Sequence, residues 1–295
     1  MPSWNDVLNE LQPKSLDDVR HKYLLQLHQY TDRNVICYYS GWLQKMGSDK
    51  SDINDGDKNG FMNAVYQLDK SKGLDLILHT PGGDVAATES IVNYLRKIFG
   101  INIRVIVPQI AMSAGTMIAC SAKEIIMGKQ SNLGPIDPHI GGLPTHGVIY
   151  EFNRAIEEVR NNPDSLPIWQ VIIGKYHPTF LQTCQNAIDL SNEVVSNWLE
   201  TAMFLGEPNA EDKSKNIVSQ LNNHLDTKSH ARHIHIDDAV KMGLKIIELE
   251  ADQRLQDLVL TVHHAYMHTL SFTPAIKVIE NHNGKAIVEN IPFVQ

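Results

Sequence analysis

Short apolar runs alternate with helix-patterned stretches from about residue 34 to residue 128, and this alternation restricts the fold more than any other feature. NVICYYSGW, LDLILHT, NIRVIVPQ and EIIMG are rich in β-branched and aromatic residues and are bounded by Gly, Pro, Asn or polar loops, so each reads as a strand. Between them, FMNAVYQLDKSKG carries Phe61, Val65 and Leu68 at helical spacing. VAATESIVNYLRKIFG does the same with Ala87, Ile91, Leu95 and Ile98. Strand–helix–strand repetition with short connections predicts parallel strands joined by right-handed crossovers, an α/β class of fold. A 295-residue chain that is 42% hydrophobic and 20% charged has enough apolar side chains for a sizeable core.

The flanks read differently. SLDDVRHKYLLQLHQY, from Ser15 to Tyr30, predicts an amphipathic helix with Ser15 as N-cap and Asp17 and Asp18 in the first turn. Residues 147–223 read as mainly helical, interrupted at Pro163, Pro167 and Pro178. HIHIDDAVKMGLKIIEL reads as a strand or loop, then a short helix, then a strand; if RHIHI is a strand, Ile234 and Ile236 point inward and His233 and His235 outward. RLQDLVLTVHHAYMHTL is a further amphipathic helix, and AIKVIENHNGKAIVEN alternates around HNG as a hairpin. The expected division is an N-terminal helical segment over 1–30, a main domain over 31–250 with a helical insert at about 147–225, and a C-terminal helix and hairpin tail over 251–295.

Net charge is −8, without a basic tract, which argues against a general nucleic-acid binder. The N-terminus lacks the apolar stretch of about 7–15 residues of a signal peptide, and no run approaches the roughly 18 apolar residues of a membrane span. Cys37, Cys120 and Cys184 are odd in number, widely separated and without metal-ligand spacing, as for buried thiols in a reducing compartment. The expectation is a cytoplasmic protein.

Two strand-to-helix junctions carry the chemistry. TPGGD, Thr80 to Asp84, places two glycines where a backbone can turn sharply or approach a ligand. It lacks the Lys of a phosphate loop and the GxGxxG spacing, so a nucleotide site does not follow. About thirty residues on, AMSAG puts Ser113 between a strand and a helix of small residues. Taken alone, Ser113 reads as an N-cap, and Ala111 breaks the GxSxG pattern of a nucleophile elbow. Adjacent βα junctions nevertheless open into one crevice at the strand ends. A hydroxyl at one and glycine amides at the other is the pairing acyl transfer needs. The small residues Ala111, Ala114, Gly115 and Ala119 would let a substrate backbone lie close.

RNVICYYSGWL, KGLDLILHTPGGDVAATESI, IAMSAGTMIACSAKEIIMG, SNLGPIDP and SHARHIHIDDAVKMGL together resemble the Clp protease proteolytic subunit and its crotonase-fold relatives. They are more similar still to the serine dehydrogenase proteinases, the SDH family, over about residues 20 to 250. The resemblance implies a crotonase-like (Clp protease-like) α/β fold and serine-peptidase activity without a cofactor. It also implies a peptide or protein substrate and a trimer-based homo-oligomer. It implies a triad in the order Ser113, Asp137, His230, with oxyanion amides from Gly83 and Ala114. The Clp subunit's own order, with the base soon after the serine, falls on Ile136 and Asp137 and does not fit, although His139 is near.

Several alternatives stay open on the residues themselves. Asp137 in GPIDP also reads as a turn residue, and His233 and His235 compete with His230. A Ser–Lys dyad would need Lys123 or Lys175. A crotonase-type acyl-thioester enzyme and an idle peptide-binding scaffold are the other classes. His264 and His268 share a helix face but lack the HExxH context of a metal site. DINDGDKNG lacks EF-hand spacing and reads as a solvated loop. Leu258, Val259, Val262, Tyr266 and Leu270 give the C-terminal helix more apolar surface than one exposed face needs, which is the sequence motive for an oligomer.

Overall fold

The computed structural model describes residues 4–11, 15–222 and 231–291. Helices α1 (Trp4–Leu11) and α2 (Leu16–Thr31) lead into strand β1 (Asn34–Ser40). Helix α3 (Asp57–Val65), strand β2 (Leu74–His79), helix α4 (Val85–Phe99) and strand β3 (Ile103–Val107) follow. Then come β4 (Ile110–Ala111), α5 (Ala114–Cys120), β5 (Glu124–Met127), β6 (Asn132–Leu133), β7 (His139–Ile140) and β8 (Leu143–Pro144). Helices α6 (Thr145–Asn161), α7 (Leu166–Ile173), α8 (Phe180–Trp198) and α9 (Ala210–Leu221) form a helical stretch. The chain continues with β9 (Ile234–His235), α10 (Ile236–Met242), β10 (Ile246–Glu248), α11 (Gln253–Phe272), β11 (Ala275–Asn281) and β12 (Ala286–Asn290).

The central sheet has the order β10-β5-β3-β2-β1-β11-β12. Its first five strands are parallel, and β11 and β12 add to the edge of β1 in antiparallel fashion. Every residue of β1 and β2 is buried, as it must be where helices cover both faces. Side chains alternate between the two layers. Ile36, Tyr38, Leu76, Leu78, Val105 and Val107 face the layer that holds α3, α4 and α5. Val35, Cys37, Tyr39, Ile77 and Ile106 face the layer of α2 and α11.

Local signals explain the element ends. Ser15 accepts the Asp18 amide and caps α2, which stops at Asp32 in the left-handed region (φ 52°). Helix α3 is shorter than its pattern suggests: it begins at Asp57 and ends at Val65. Gln67 then takes φ 63°, so Leu68 is buried from a turn and not from the helix. Only Ile234 and His235 of RHIHI form a strand, because Ile236 already opens α10; Ile234 is buried and His233 and His235 are exposed.

The apolar face of α11 is covered within the chain. Leu258, Val259, Val262, Tyr266 and Leu270 pack with Leu24 and Leu27 of α2 and with the sheet, while Val7 of α1 and Val19 of α2 close on Ala265. The sequence motive for an oligomer is therefore spent inside one subunit. No helix among the described residues is long and apolar enough to cross a membrane.

This layer also buries histidines. His263 lies within hydrogen-bond range of the Tyr39 hydroxyl at 3.3 Å, and its ring meets that of His79 edge-on. Burial lowers the pKa of His263 from 6.5 to about 3, with the neighbouring His264 adding to the effect. Burial, and then His263, also holds His79 well below its usual value. His282 accepts the Val35 amide and stacks on His28; burial and that neighbour lower it to about 4. These groups are neutral when folded, and the unfolded chain binds protons that the folded one refuses. Stability is therefore complete above about pH 6.5 and falls on acidification, by about 1.4 kcal/mol per pH unit for each such histidine. The window closes at about pH 4 for His282 and about pH 3 for His263. Thermal midpoints at pH 7, 6 and 5 should descend in that order, and equal midpoints would contradict this account.

Candidate active site

Strands β2 and β3 are neighbours in the sheet and run the same way, so the junctions that follow them emerge at the same edge. They touch. The Thr80 amide donates to the Ile110 carbonyl at 3.2 Å, and the Met112 amide donates to the Thr80 carbonyl at 3.0 Å. A Cβ on Gly82 would lie 2.7 Å from Ser113 Cβ and 3.1 Å from the Ala114 nitrogen, so a side chain there would fill the space beside the hydroxyl. Gly82 has φ 105° and Gly83 φ 153°, values that disfavour any other residue.

Gly83 is held from the far side by Ile53. The Ile53 amide donates to the Gly82 carbonyl at 2.8 Å, and the Asp84 amide donates to the Ile53 carbonyl at 2.9 Å. Asp84 then caps α4 by accepting the Ala87 amide. A Cβ on Gly83 would stand 2.3 Å from the Ile53 nitrogen. Gly83→Ala is therefore expected to destabilise the protein by at least the roughly 1–3 kcal/mol of backbone strain, and Ile53 would be pushed off its two backbone bonds as well. A thermal midpoint within about one degree of wild type would refute this packing.

Ser113 occupies the N-cap position of α5 but does not cap it. Its side chain makes no capping bond, and its backbone sits at φ 51°, ψ −118°, outside the extended geometry of an ordinary cap. It is half-buried. The Gly115 amide turns back onto the Met112 carbonyl at 2.7 Å, which tightens the elbow. The small residues here serve packing more than substrate access. A Cβ on Gly115 would be 2.5 Å from Thr80 Cγ2, and Ala111, Ala114 and Ala119 are fully buried.

Thr116 links this elbow to the next loop. Its hydroxyl donates to the Ala111 carbonyl and accepts the Gly134 amide, both at 2.9 Å. Gly134 packs on Met112, where a Cβ would meet the terminal methyl of the side chain at 2.5 Å and the sulfur at 2.7 Å. Three residues on, Asp137 is buried in a backbone pinned from three helices. The Ile136 amide donates to the Leu221 carbonyl at the end of α9. Ser191 of α8 donates to the Ile136 carbonyl, and the Thr145 amide and hydroxyl, at the start of α6, donate to the Pro138 carbonyl.

A three-stranded sheet joins these segments. Ala111 pairs with Leu133 in parallel, and Leu133 pairs with Ile234 in antiparallel fashion. It brings together the strand before Ser113, the strand before Asp137 and the strand after SHARH. His230 lies outside the described residues, as do 223–229. His139 is half-buried on β7 opposite Pro144.

Lys123 is exposed beyond the far end of α5. Its amide bonds the carbonyl of Ile103, the first residue of β3, at the sheet edge opposite Ser113. Lys175 is exposed after α7. Among the described residues, no group of three or more His, Cys, Asp or Glu is arranged to hold a metal ion.

Sequence reasoning passes over Thr116, Ile53 and His146. His146, in the first turn of α6, lies 3.0 Å from Asn222 Oδ1, and Asn222 in turn donates to Asn192. Nothing in the local sequence marks Thr116 or Ile53, since the Gly134 amide that Thr116 accepts and the Gly82 and Asp84 groups that Ile53 bonds are backbone groups of other segments.

Residues 50–285 match the family described as ClpP-like SDH-type serine proteinases. The chain belongs to this family. Two uncharacterized proteins of Methanocaldococcus jannaschii are similar to it. MJ0137 is 31% identical over 190 residues, covering 64% of this chain and 59% of that protein. MJ1495 is 38% identical over 103 residues, 35% of each. The chain thus aligns with about three-fifths of the first relative's length and about a third of the second's. The family match spans both junctions, the Gly134–Asp137 loop and all three strands of the small sheet.

Proposed function

We propose that the chain is a serine peptidase that hydrolyses peptide bonds through an acyl-enzyme on Ser113. The single observation that carries this reading is the state of Ser113. A non-glycine residue is held in a strained conformation at a helix start, its hydroxyl is not used as a cap, and it lies against Gly82, the first of two consecutive glycines at positive φ. Strain of this kind persists where the surrounding structure over-determines it, and it clusters at functional sites.

In the proposed reaction, Ser113 Oγ attacks the scissile carbonyl and its proton passes to His230. The carbonyl oxygen becomes an oxyanion, stabilised by the Gly83 and Ala114 amides. The C–N bond then breaks, and the amine leaves with the proton carried by His230. Water attacks the acyl-enzyme, gives a proton to His230, and the acid product departs as Ser113 recovers its proton. Asp137 orients His230. The same reading includes a crotonase-like arrangement of the sheet, a peptide or protein substrate and a trimer-based homo-oligomer. Treatment with a fluorophosphonate followed by peptide mass spectrometry should find the adduct on Ser113. Folded protein that remains unmodified under conditions that label a reference serine hydrolase would defeat the proposal.

A further inference from the structure

The acidic loop SDINDGD, by its spacing a solvated segment, is firmly anchored in the molecule. Ile53 and Asp57 are buried. Ser40 donates to the Ser51 carbonyl at 2.7 Å, and the Asn54 amide donates to Asp57 Oδ2 at 3.1 Å. Tyr38 donates its hydroxyl to the same oxygen at 2.8 Å. The remaining contacts come from the far end of the chain. Lys277, on β11, is fully buried, and its ammonium donates to Asp57 Oδ1 at 2.8 Å and to the Asp52 carbonyl at 2.9 Å. The residues on both sides of Ile53 are thus fixed, and Ile53 in turn fixes Gly82, Gly83 and Asp84 through its own amide and carbonyl. An acidic, glycine-containing loop of the kind that could wrap a calcium ion is closed on the protein's own cation.

We infer that Lys277, paired with Asp57, is a positioning residue that sets the orientation of the Gly82–Gly83 peptide beside Ser113. The inference rests on the serine-peptidase reading for its catalytic consequence, but not for its geometry. A buried ion pair is weak evidence for stability, because the desolvation of two charges offsets much of their attraction. What this pair supplies is direction. An apolar side chain of the same volume would fill the core between β11 and α3, yet it could not hold the Asp52 carbonyl. The Ile53 backbone would then be free to rotate, and Gly83 with it. An oxyanion donor that is misaligned loses transition-state stabilisation while ground-state binding is retained.

The test is the double variant Lys277→Met/Asp57→Asn, which removes both charges together and avoids leaving one of them buried alone. Its thermal midpoint should stay close to wild type. On a fluorogenic peptide, kcat should fall about tenfold to a hundredfold with KM little changed. Affinity for a peptidyl boronic acid, which mimics the tetrahedral anion, should fall in parallel, while affinity for the product peptide should not. Hydrogen exchange at the Asp84 amide, which reports the bond to Ile53, should speed up by about tenfold or more. A folded double variant with wild-type kcat, boronate affinity and Asp84 protection overturns the inference. Should the double variant not fold, Tyr38→Phe removes one bond to Asp57 and keeps the ring; unchanged Asp84 exchange and kcat there overturn it equally. Wild-type protein that neither turns over peptide nor takes the probe on Ser113 would instead sink the peptidase reading, and Asp84 exchange would still decide the role of Lys277.

Discussion

Ser113→Ala is expected to lower peptide turnover by about four to six orders of magnitude without unfolding the protein. The loss follows from removing the proposed nucleophile. The retained fold follows from the backbone: no capping bond disappears, because Ser113 makes none, and alanine inherits the same φ of 51°. Ser113→Gly sharpens the point. Glycine tolerates that conformation, so this variant should be as inactive as the alanine variant yet more stable than wild type, by about 1 kcal/mol. Turnover and thermal midpoints of the three proteins check both halves. An active Ser113→Ala protein would remove the nucleophile from the proposal, and a destabilised Ser113→Gly would remove the strain.

His230→Ala is expected to be nearly as damaging, and the Ser113→Ala/His230→Ala double variant hardly worse than either, because members of a triad act as a unit. The activity of wild type should rise with pH through the titration of the base, since only the neutral imidazole accepts a proton. Four other histidines must be compared. His233→Ala and His235→Ala should change the rate little, as both side chains are exposed. His139 is half-buried opposite Pro144, and His146 is engaged with Asn222; neither substitution should approach the loss at His230. Steady-state kinetics with one peptide across the set decides it. Near-normal turnover for His230→Ala alongside an inactive His139→Ala or His146→Ala would move the base.

The parallel sheet is readable in the sequence because its signals are local. LDLILH and EIIM are short apolar runs ended by Pro, Gly or polar residues, and the helices between them carry an apolar stripe and, at Asp84, a cap. The two junctions can be set side by side on topology alone, since neighbouring parallel strands open at one edge. What cannot be read is support from a distance. Lys277 looks like one more alternating residue of a hairpin, and Asp57 like one more acid in a polar loop, until β11 lies beside β1. The loop at 51–57 reads as solvated for that reason, because its acidity suggests water when its cation is more than 200 residues away. The cap reading of Ser113 fails for a different reason: residue type predicts capping, but φ and ψ decide it, and Ser113 has φ 51° and ψ −118° with no capping bond from its side chain.

The small sheet of β4, β6 and β9 also bears on when the site comes into being. Each strand contributes two residues, and the closing pair, Leu133 with Ile234, joins positions about a hundred residues apart. Contacts of such long sequence separation form late, after their loop-closure entropy has been offset by the rest of the core. During synthesis, Ser113 emerges well before Ile234, and before the β11 strand that completes the main sheet. A nascent or half-folded chain therefore carries the hydroxyl without the surroundings that would make it reactive. On the proposed peptidase reading, hydrolysis would be deferred until the C-terminal third has docked, and a growing chain would have little means of cutting itself or its neighbours.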